Sequence, residues 1–312
     1  MEEDLSIKSE IIASGSTMKV PEGFSHPFAD AKDDTTGSII ISFGNSRMRM
    51  RYSPESGEFD LVPKGEGFSL VHDGKTLIEY VEFVQAFCHS PFQANVSIPK
   101  YESVDSMMAY LDRIVATGTV EGIPMSCGPD DDIDKVCRYI SAIHSKYPDI
   151  PIGLSYRVCS KDDLQKLKSA GLTEFKITVG STNGRIFKML QPDEDSDSIL
   201  DCLKDAVIVF GKGKVQTGLF IGVGETDEEV IQCIEDVSSI GLLTDIKVKK
   251  LSPKVRTEYE AVVGKIEPVS KDRLMLLGMK LKSIEEKHGL SGTTNTLCLS
   301  CRCCNIVPFK DF

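Results

Sequence analysis

From residue 82 onward the sequence alternates between short apolar runs and longer segments whose apolar residues recur three and four positions apart, and the alternation repeats six times. The short runs read as buried strands and the wider spacing as one face of a helix. Strands are expected at 82–86 or 94–98, then at 122–126, 152–154, 175–179, 215–223 and 245–248. Helices are expected at 104–116, 133–147, 161–170, 196–210, 227–240 and 271–288. Ile133, Val136, Cys137, Ile140 and Ile143 form one such helical stripe. Asp131 or Asp132, Ser160 and Thr226 mark helix starts, each followed by acidic residues in the first turn. Strand–helix units in tandem require a parallel sheet with right-handed crossovers. The fold class is therefore α/β, with the sheet closed or partly closed as a barrel, or else open and doubly wound. A chain of 312 residues, 41% of them hydrophobic, can bury a core of that size.

Before this region the pattern differs. The first 35 residues are polar, broken by Gly and Pro, and carry an acidic cluster from Asp30 to Asp34, so they read as a flexible arm over 1–36. Alternating runs around Ile39, Met48, Phe59 and Phe68, with a turn at Pro54 to Gly57, read as hairpins forming a small β cap over 37–78. The barrel is expected over 79–290 and a Cys-rich tail over 291–312. A net charge of -11 disfavours nucleic acid or anionic lipid as partner, although Lys247-Val248-Lys249-Lys250 is a local basic run. No apolar run reaches the roughly 18 residues needed to span a bilayer. The acidic start Met1-Glu2-Glu3-Asp4 is unlike a signal peptide, so a cytoplasmic protein with no membrane partner is expected.

Ten cysteines divide into six scattered ones (Cys88, Cys127, Cys137, Cys159, Cys202, Cys233) and four within seven residues: Cys298, Cys301, Cys303 and Cys304. Thiolates two or three positions apart can turn around one centre, and their softness selects zinc or iron–sulfur. Zinc favours two separated Cys-x2-Cys pairs, whereas the second pair here is vicinal, which favours a cluster. Which of Cys303 and Cys304 is a ligand stays open, and the plain alternative is a tail with chance cysteines. Cys127 reads as a small buried hydrophobe.

A second feature is Gly218-Leu-Phe-Ile221-Gly222-Val-Gly224-Glu225-Thr226-Asp227, a strand running through a Gly-rich turn into a helix. Such a turn lets backbone approach a ligand at the strand C-termini, or is simply a tight turn capped by Thr226. Arg157, at another strand end, can meet a ligand carboxylate or phosphate, or make a surface ion pair. His144 and His288 suit helix C-termini, His26 and His72 lie outside the barrel, and His89 beside Cys88 is the one histidine with a possible ligand or acid–base role.

The Gly-x2-Ile-Gly-x-Gly-Glu-Thr-Asp-Glu-Glu core resembles the fifth strand and following helix of radical S-adenosylmethionine enzymes, particularly the biotin-synthase-related archaeal branch. Pro148-Asp-Ile-Pro-Ile-Gly153, the stretch from Leu164 to Thr178 and the tail Cys-x2-Cys-x-Cys-Cys-Asn-Ile-Val-Pro are similar to the same branch. The resemblance spans roughly 80–308. It implies a partial or full TIM-like barrel, adenosylmethionine held at the strand ends, and a 4Fe–4S cluster on the C-terminal cysteines. It also implies a reductant or heteromeric partner protein and a small-molecule or protein substrate that the sequence does not name. The cofactor residues it suggests are Ser126, Gly128, Ser155, Arg157, Gly222, Gly224 and Glu225; the metal ligands are Cys298, Cys301, Cys303 and Cys304.

The sequence departs from the family in one central respect: the Cys-x3-Cys-x2-Cys triplet that follows the first strand is missing, and only Cys88 lies near its place. Ser155-Tyr156-Arg157 and Gly180-Ser181-Thr182 stand where the branch tends to place acidic residues. Three readings follow: a radical enzyme using the C-terminal cluster, a non-catalytic homologue acting as partner subunit or scaffold, and a zinc-stabilised tail on an ordinary barrel enzyme.

Overall fold

The structure, a computed structural model, describes residues 2–28, 37–87, 90–128, 130–290 and 294–312. Cys88, His89, Pro129 and the acidic cluster Asp30 to Asp34 lie outside the described residues. Helix α1 (Glu2–Ser14) leads into strand β1 (Thr17–Lys19), followed by β2 (Ser38–Phe43), β3 (Ser46–Ser53), β4 (Phe59–Lys64), β5 (Gly67–His72), β6 (Lys75–Ile78) and β7 (Glu82–Val84). These seven strands form one mixed sheet in the order β6-β5-β4-β1-β3-β2-β7, its hairpins antiparallel and β1 parallel to both neighbours.

Residues 2–19 are thus not an arm. Leu5, Ile11 and Ile12 are buried, and α1 packs on the long helix over 271–287. The polar composition misleads because Lys8 and Ser9 are themselves buried. Of the two placements for the first barrel strand, 82–86 belongs to this N-terminal sheet, since β7 pairs with β2.

The second sheet is made of β8 (Val96–Ser97), β9 (Ile123–Ser126), β10 (Ile152–Ser155), β11 (Glu174–Lys176), β12 (Val215–Ile221) and β13 (Leu243–Val248), each parallel to the next and in strict chain order. A doubly wound sheet reverses its strand order at a switch point; this one does not, so it curves one way as a partial barrel. Among the described strands β8 and β13 do not pair with each other. The connecting helices are α2 (Val104–Val115), α3 (Ile133–Lys146), α4 (Lys161–Ser169), α5 (Gly184–Leu190), α6 (Ser196–Phe210), α7 (Asp227–Ile240), α8 (Pro253–Val263) and α9 (Lys271–Lys287).

Asp132, Ser160 and Thr226 cap α3, α4 and α7, with Ser160 and Thr226 completing capping boxes with Asp163 and Glu229. On α3, Val136, Ile140 and Ile143 are fully buried, each such side chain contributing about 1.5–3 kcal/mol. Helices α5 and α8 are not foreseen; α8 buries none of its residues fully and so shows no apolar stripe. Among the described residues no helix is long and apolar enough to cross a membrane. The tail contributes α10 (Leu297–Cys301) and α11 (Pro308–Asp311).

Candidate functional site

The tail packs against β10, β11, β12 and β13. Its entrance is fixed by Glu174, the first residue of β11, whose buried carboxylate accepts the N–H groups of Asn295 and Thr296 at 2.9 Å each, together with the Thr296 hydroxyl. Gly153 makes room, because a Cβ there would collide with Thr296. The Gln216 amide donates to the Thr296 carbonyl at 3.2 Å and the Gln93 amide to the Leu297 carbonyl at 3.1 Å. The chain passes through α10 and reverses at Arg302, which holds the left-handed conformation with φ 62. It then returns antiparallel to β13: Asn305 donates to Asp245 at 2.9 Å, and Ile306 bridges Ile246.

The four tail cysteines sit on this turn. Cys298 Sγ lies 3.6 Å from the Lys247 ammonium, which also meets Asp245 at 3.2 Å. Burial works against the Lys247 charge, but Asp245 and Cys298 outweigh it and raise its pKa. Asp245 is held ionised the same way: burial opposes its charge, while Lys176 at 2.7 Å and Lys247 pull its carboxyl below the usual range. A hydrogen bond from the Cys303 thiol brings Cys301 down to about 7 against the effect of burial, with help from Ser90 and the Arg47 charge. Cys303 is fully buried against Ile40 and Ala86, and its thiol donates to the Cys301 carbonyl at 3.2 Å. Cys304 is exposed as a residue, but loss of solvent around its sulfur pushes the thiol up to about 12, with the Cys301 and Cys298 charges adding to this and Arg49 and Lys247 opposing it.

The donor chemistry of this turn suits a soft metal or iron–sulfur cluster: three sulfurs at Cys-x2-Cys-x2-Cys spacing, with Lys247, Arg47 and Arg49 nearby. The geometry is open. Among the described residues no three His, Cys, Asp or Glu side chains meet at a point that would hold a metal ion. Cys88 and His89 lie outside the described residues, and their chain neighbour Ser90 hydrogen-bonds Cys301.

The residues expected to hold adenosylmethionine fall into two groups. Ser126 and Ser155 are register partners at the exposed ends of β9 and β10. Beside them the Gly128 N–H donates to the Asp131 carboxylate at 2.6 Å, and the Arg157 guanidinium donates to the Asp131 carbonyl at 3.1 Å while lying over the Tyr156 ring. Asp131, further fixed by Lys135 at 2.6 Å, joins these two loops. Sequence reasoning weighed it only as a helix cap, a role that Asp132 fills. Cys127 is half-buried, and burial pushes its thiol up to about 11.

Gly222, Gly224 and Glu225 do not join this group. They end β12, two strands from β10, and the structure turns them inward. Glu225 accepts the N–H groups of Gly222 and Val223 at 2.8 Å each and the Arg273 guanidinium at 3.0 Å. Gly224, at φ +98, lies so close to Val263 that a Cβ would clash. The Gly-rich turn is a packing seat for the segment that follows β13. A neighbouring cleft of about 290 Å³ lies between the loop after β11 and α7, lined by Thr182, Asn183, Glu229 and Asp236 among others. Its acidic groups thus come from α7, where the loop Gly180-Ser181-Thr182 has none: Thr182 donates to Asp236 at 2.6 Å and Asn183 to Glu229 at 2.9 Å.

No protein-family model matches the chain. Biotin synthase of Saccharopolyspora erythraea is 26% identical over 130 residues, 41% of this chain and 35% of that protein. Lipoyl synthase of Haemophilus influenzae is 26% identical over 117 residues, 36% of each. The matched region thus spans about a third of the length of these curated relatives. Among solved structures, methylornithine synthase aligns with a TM-score of 0.49 at 14% identity over 64% of both chains. Sequence kinship with biotin synthase and lipoyl synthase, in a chain folded as a partial parallel α/β barrel, supports its resemblance to the radical S-adenosylmethionine superfamily.

Proposed function

We propose that this chain is a radical-S-adenosylmethionine-like iron–sulfur protein in which Cys298, Cys301 and Cys304 are the thiolate ligands of a 4Fe–4S cluster and Cys303 is a packing residue. The observation that supports the reading is the setting of the tail turn, where Cys298 Sγ lies 3.6 Å from the Lys247 ammonium while Cys303 is fully buried against Ile40 and Ala86. When bound, such a cluster supplies one-electron redox chemistry. The chain's own part is to hold and tune the thiolates: Lys247 hydrogen-bonds Cys298, the Cys303 thiol favours ionised Cys301, and Glu174 anchors the tail. Because the thiols gather without converging, cluster binding also orders the turn. Adenosylmethionine is proposed to lie over Ser126, Gly128, Ser155 and Arg157, where Asp131 fixes the loops.

A second reading is a non-catalytic homologue that keeps the cluster and serves as partner subunit or scaffold. It is favoured by the internal use of Glu225 and by a sequence without the Cys-x3-Cys-x2-Cys triplet.

The test is anaerobic reconstitution with iron and sulfide, followed by electron paramagnetic resonance of the reduced protein with and without adenosylmethionine. A 4Fe–4S signal that shifts on addition supports the radical enzyme, and an unchanged signal supports the homologue. Binding of zinc with no cluster signal overturns both.

A further inference from the structure

Two cysteines away from the tail are also brought together. Cys159 lies in the loop leaving β10, just before Ser160, the cap of α4; Cys202 lies on the buried face of α6. The Cys159 N–H donates to Cys202 Sγ at 3.5 Å, and the two thiols hydrogen-bond each other. Cys159 is half-buried and Cys202 is 5% exposed, so solvent reaches the pair from the loop side. No step in the proposed cluster chemistry uses either sulfur, and their sequence separation gives no sign of the contact.

We propose that Cys159 and Cys202 form a reversible disulfide that ties the β10–α4 loop, and with it Arg157, to α6. The Cys159 backbone already lies within 3.5 Å of Cys202 Sγ, and α4 and α6 pack side by side, so the bond joins elements that are neighbours in the reduced fold. The reactive sulfur is Cys202: the hydrogen bond from the Cys159 thiol, joined by the Cys159 N–H, brings it down to about 7 in spite of burial. A thiol that ionises near neutral pH is the nucleophile in such exchanges.

With hydrogen peroxide as oxidant, the Cys202 thiolate attacks one oxygen, the O–O bond breaks, and the hydroxide released takes a proton to become water, leaving a sulfenic acid on Cys202. The Cys159 sulfur then attacks that sulfur. The S–OH bond breaks as the S–S bond forms, and the Cys159 proton leaves with the hydroxyl as a second water. Two thiols and one peroxide give one disulfide and two waters. A dithiol reductant reverses the change, as suits a reducing compartment.

The test uses the full chain without added metal, treated with hydrogen peroxide, quenched with catalase, alkylated in denaturant and mapped by mass spectrometry without reduction. A peptide pair joining Cys159 to Cys202 is expected, lost on treatment with dithiothreitol. Cys159→Ser should abolish the pair and leave a sulfenic acid at Cys202 that dimedone traps. Full alkylation of both thiols in the wild-type chain at a peroxide dose that oxidises the tail cysteines overturns the proposal, as does Cys159 found joined to any other cysteine.

Discussion

Lys8 of α1 donates to the Asp311 carboxylate of α11 at 2.7 Å, and both side chains are fully buried. The carboxylate also accepts the Val307 N–H at 2.7 Å and meets Arg302 at 3.2 Å. Removing one member of such a pair leaves a buried charge, which costs about 3–5 kcal/mol. Lys8→Met is expected to lower stability by that order in denaturant unfolding, and the double variant Lys8→Met, Asp311→Leu should regain part of it. Equal loss in the single and double variants would mean that the ion pair is not what is felt.

Glu285 of α9 is buried and accepts the Thr244 N–H at 2.8 Å; burial pushes its carboxyl up to about 8, the Thr244 N–H opposes this and the Asp245 charge adds to it. A carboxyl raised by folding releases its proton on unfolding. Its stabilising contribution is complete below about pH 4.5 and is lost as pH climbs toward about 8. Glu285→Gln keeps an acceptor for Thr244 and should flatten the fall of unfolding free energy over that window, as measured by guanidinium titrations at several pH values. An unaltered slope would show that Glu285 is ionised in the folded chain.

The two vicinal cysteines should separate by function. Cys304→Ser is expected to lower iron and sulfide content after reconstitution, while Cys303→Ser keeps the iron and lowers thermal stability through the seat on Ile40 and Ala86. Iron analysis of the two variants decides it, and the reverse assignment would exchange their roles.

Glu225 closes its turn with two backbone N–H groups and Arg273. Hydrogen bonds to a charged group contribute about 1.5–3 kcal/mol each. Glu225→Ala should therefore destabilise the chain measurably while leaving adenosylmethionine binding by calorimetry unchanged. A selective loss of binding at unchanged stability would return Glu225 to the cofactor site.

What could be read in advance was whatever is local in sequence. The α3 stripe, the caps at Asp132, Ser160 and Thr226, and the serial strands follow from neighbours three or four residues away. Helix α1 did not, because Lys8 looks like a surface lysine until it meets Asp311, 303 positions later. The clamp of Glu174 on Thr296 escaped notice for the same reason, with its partner 122 positions away. The Gly222–Gly224 turn was legible as a close approach of backbone, but not what approaches, since Val263 belongs to a helix with no stripe to announce it. The cysteines were legible as a group; that Cys303 is fully buried while Cys304 is exposed depends on the reversal at Arg302 and on Ile40 and Ala86, far away in sequence.

The return of the tail along β13 bears on how the chain comes to be folded as it is made. Translation delivers α1 long before the acid that neutralises its buried lysine, which lies 303 positions further on, and β13 is made before Ile306, which bridges it. The nascent chain carries Lys8 without its buried partner until residue 311 is out. The same short stretch of polypeptide supplies Asp311 and Ile306, so neutralising Lys8 and burying Cys303 both wait on it.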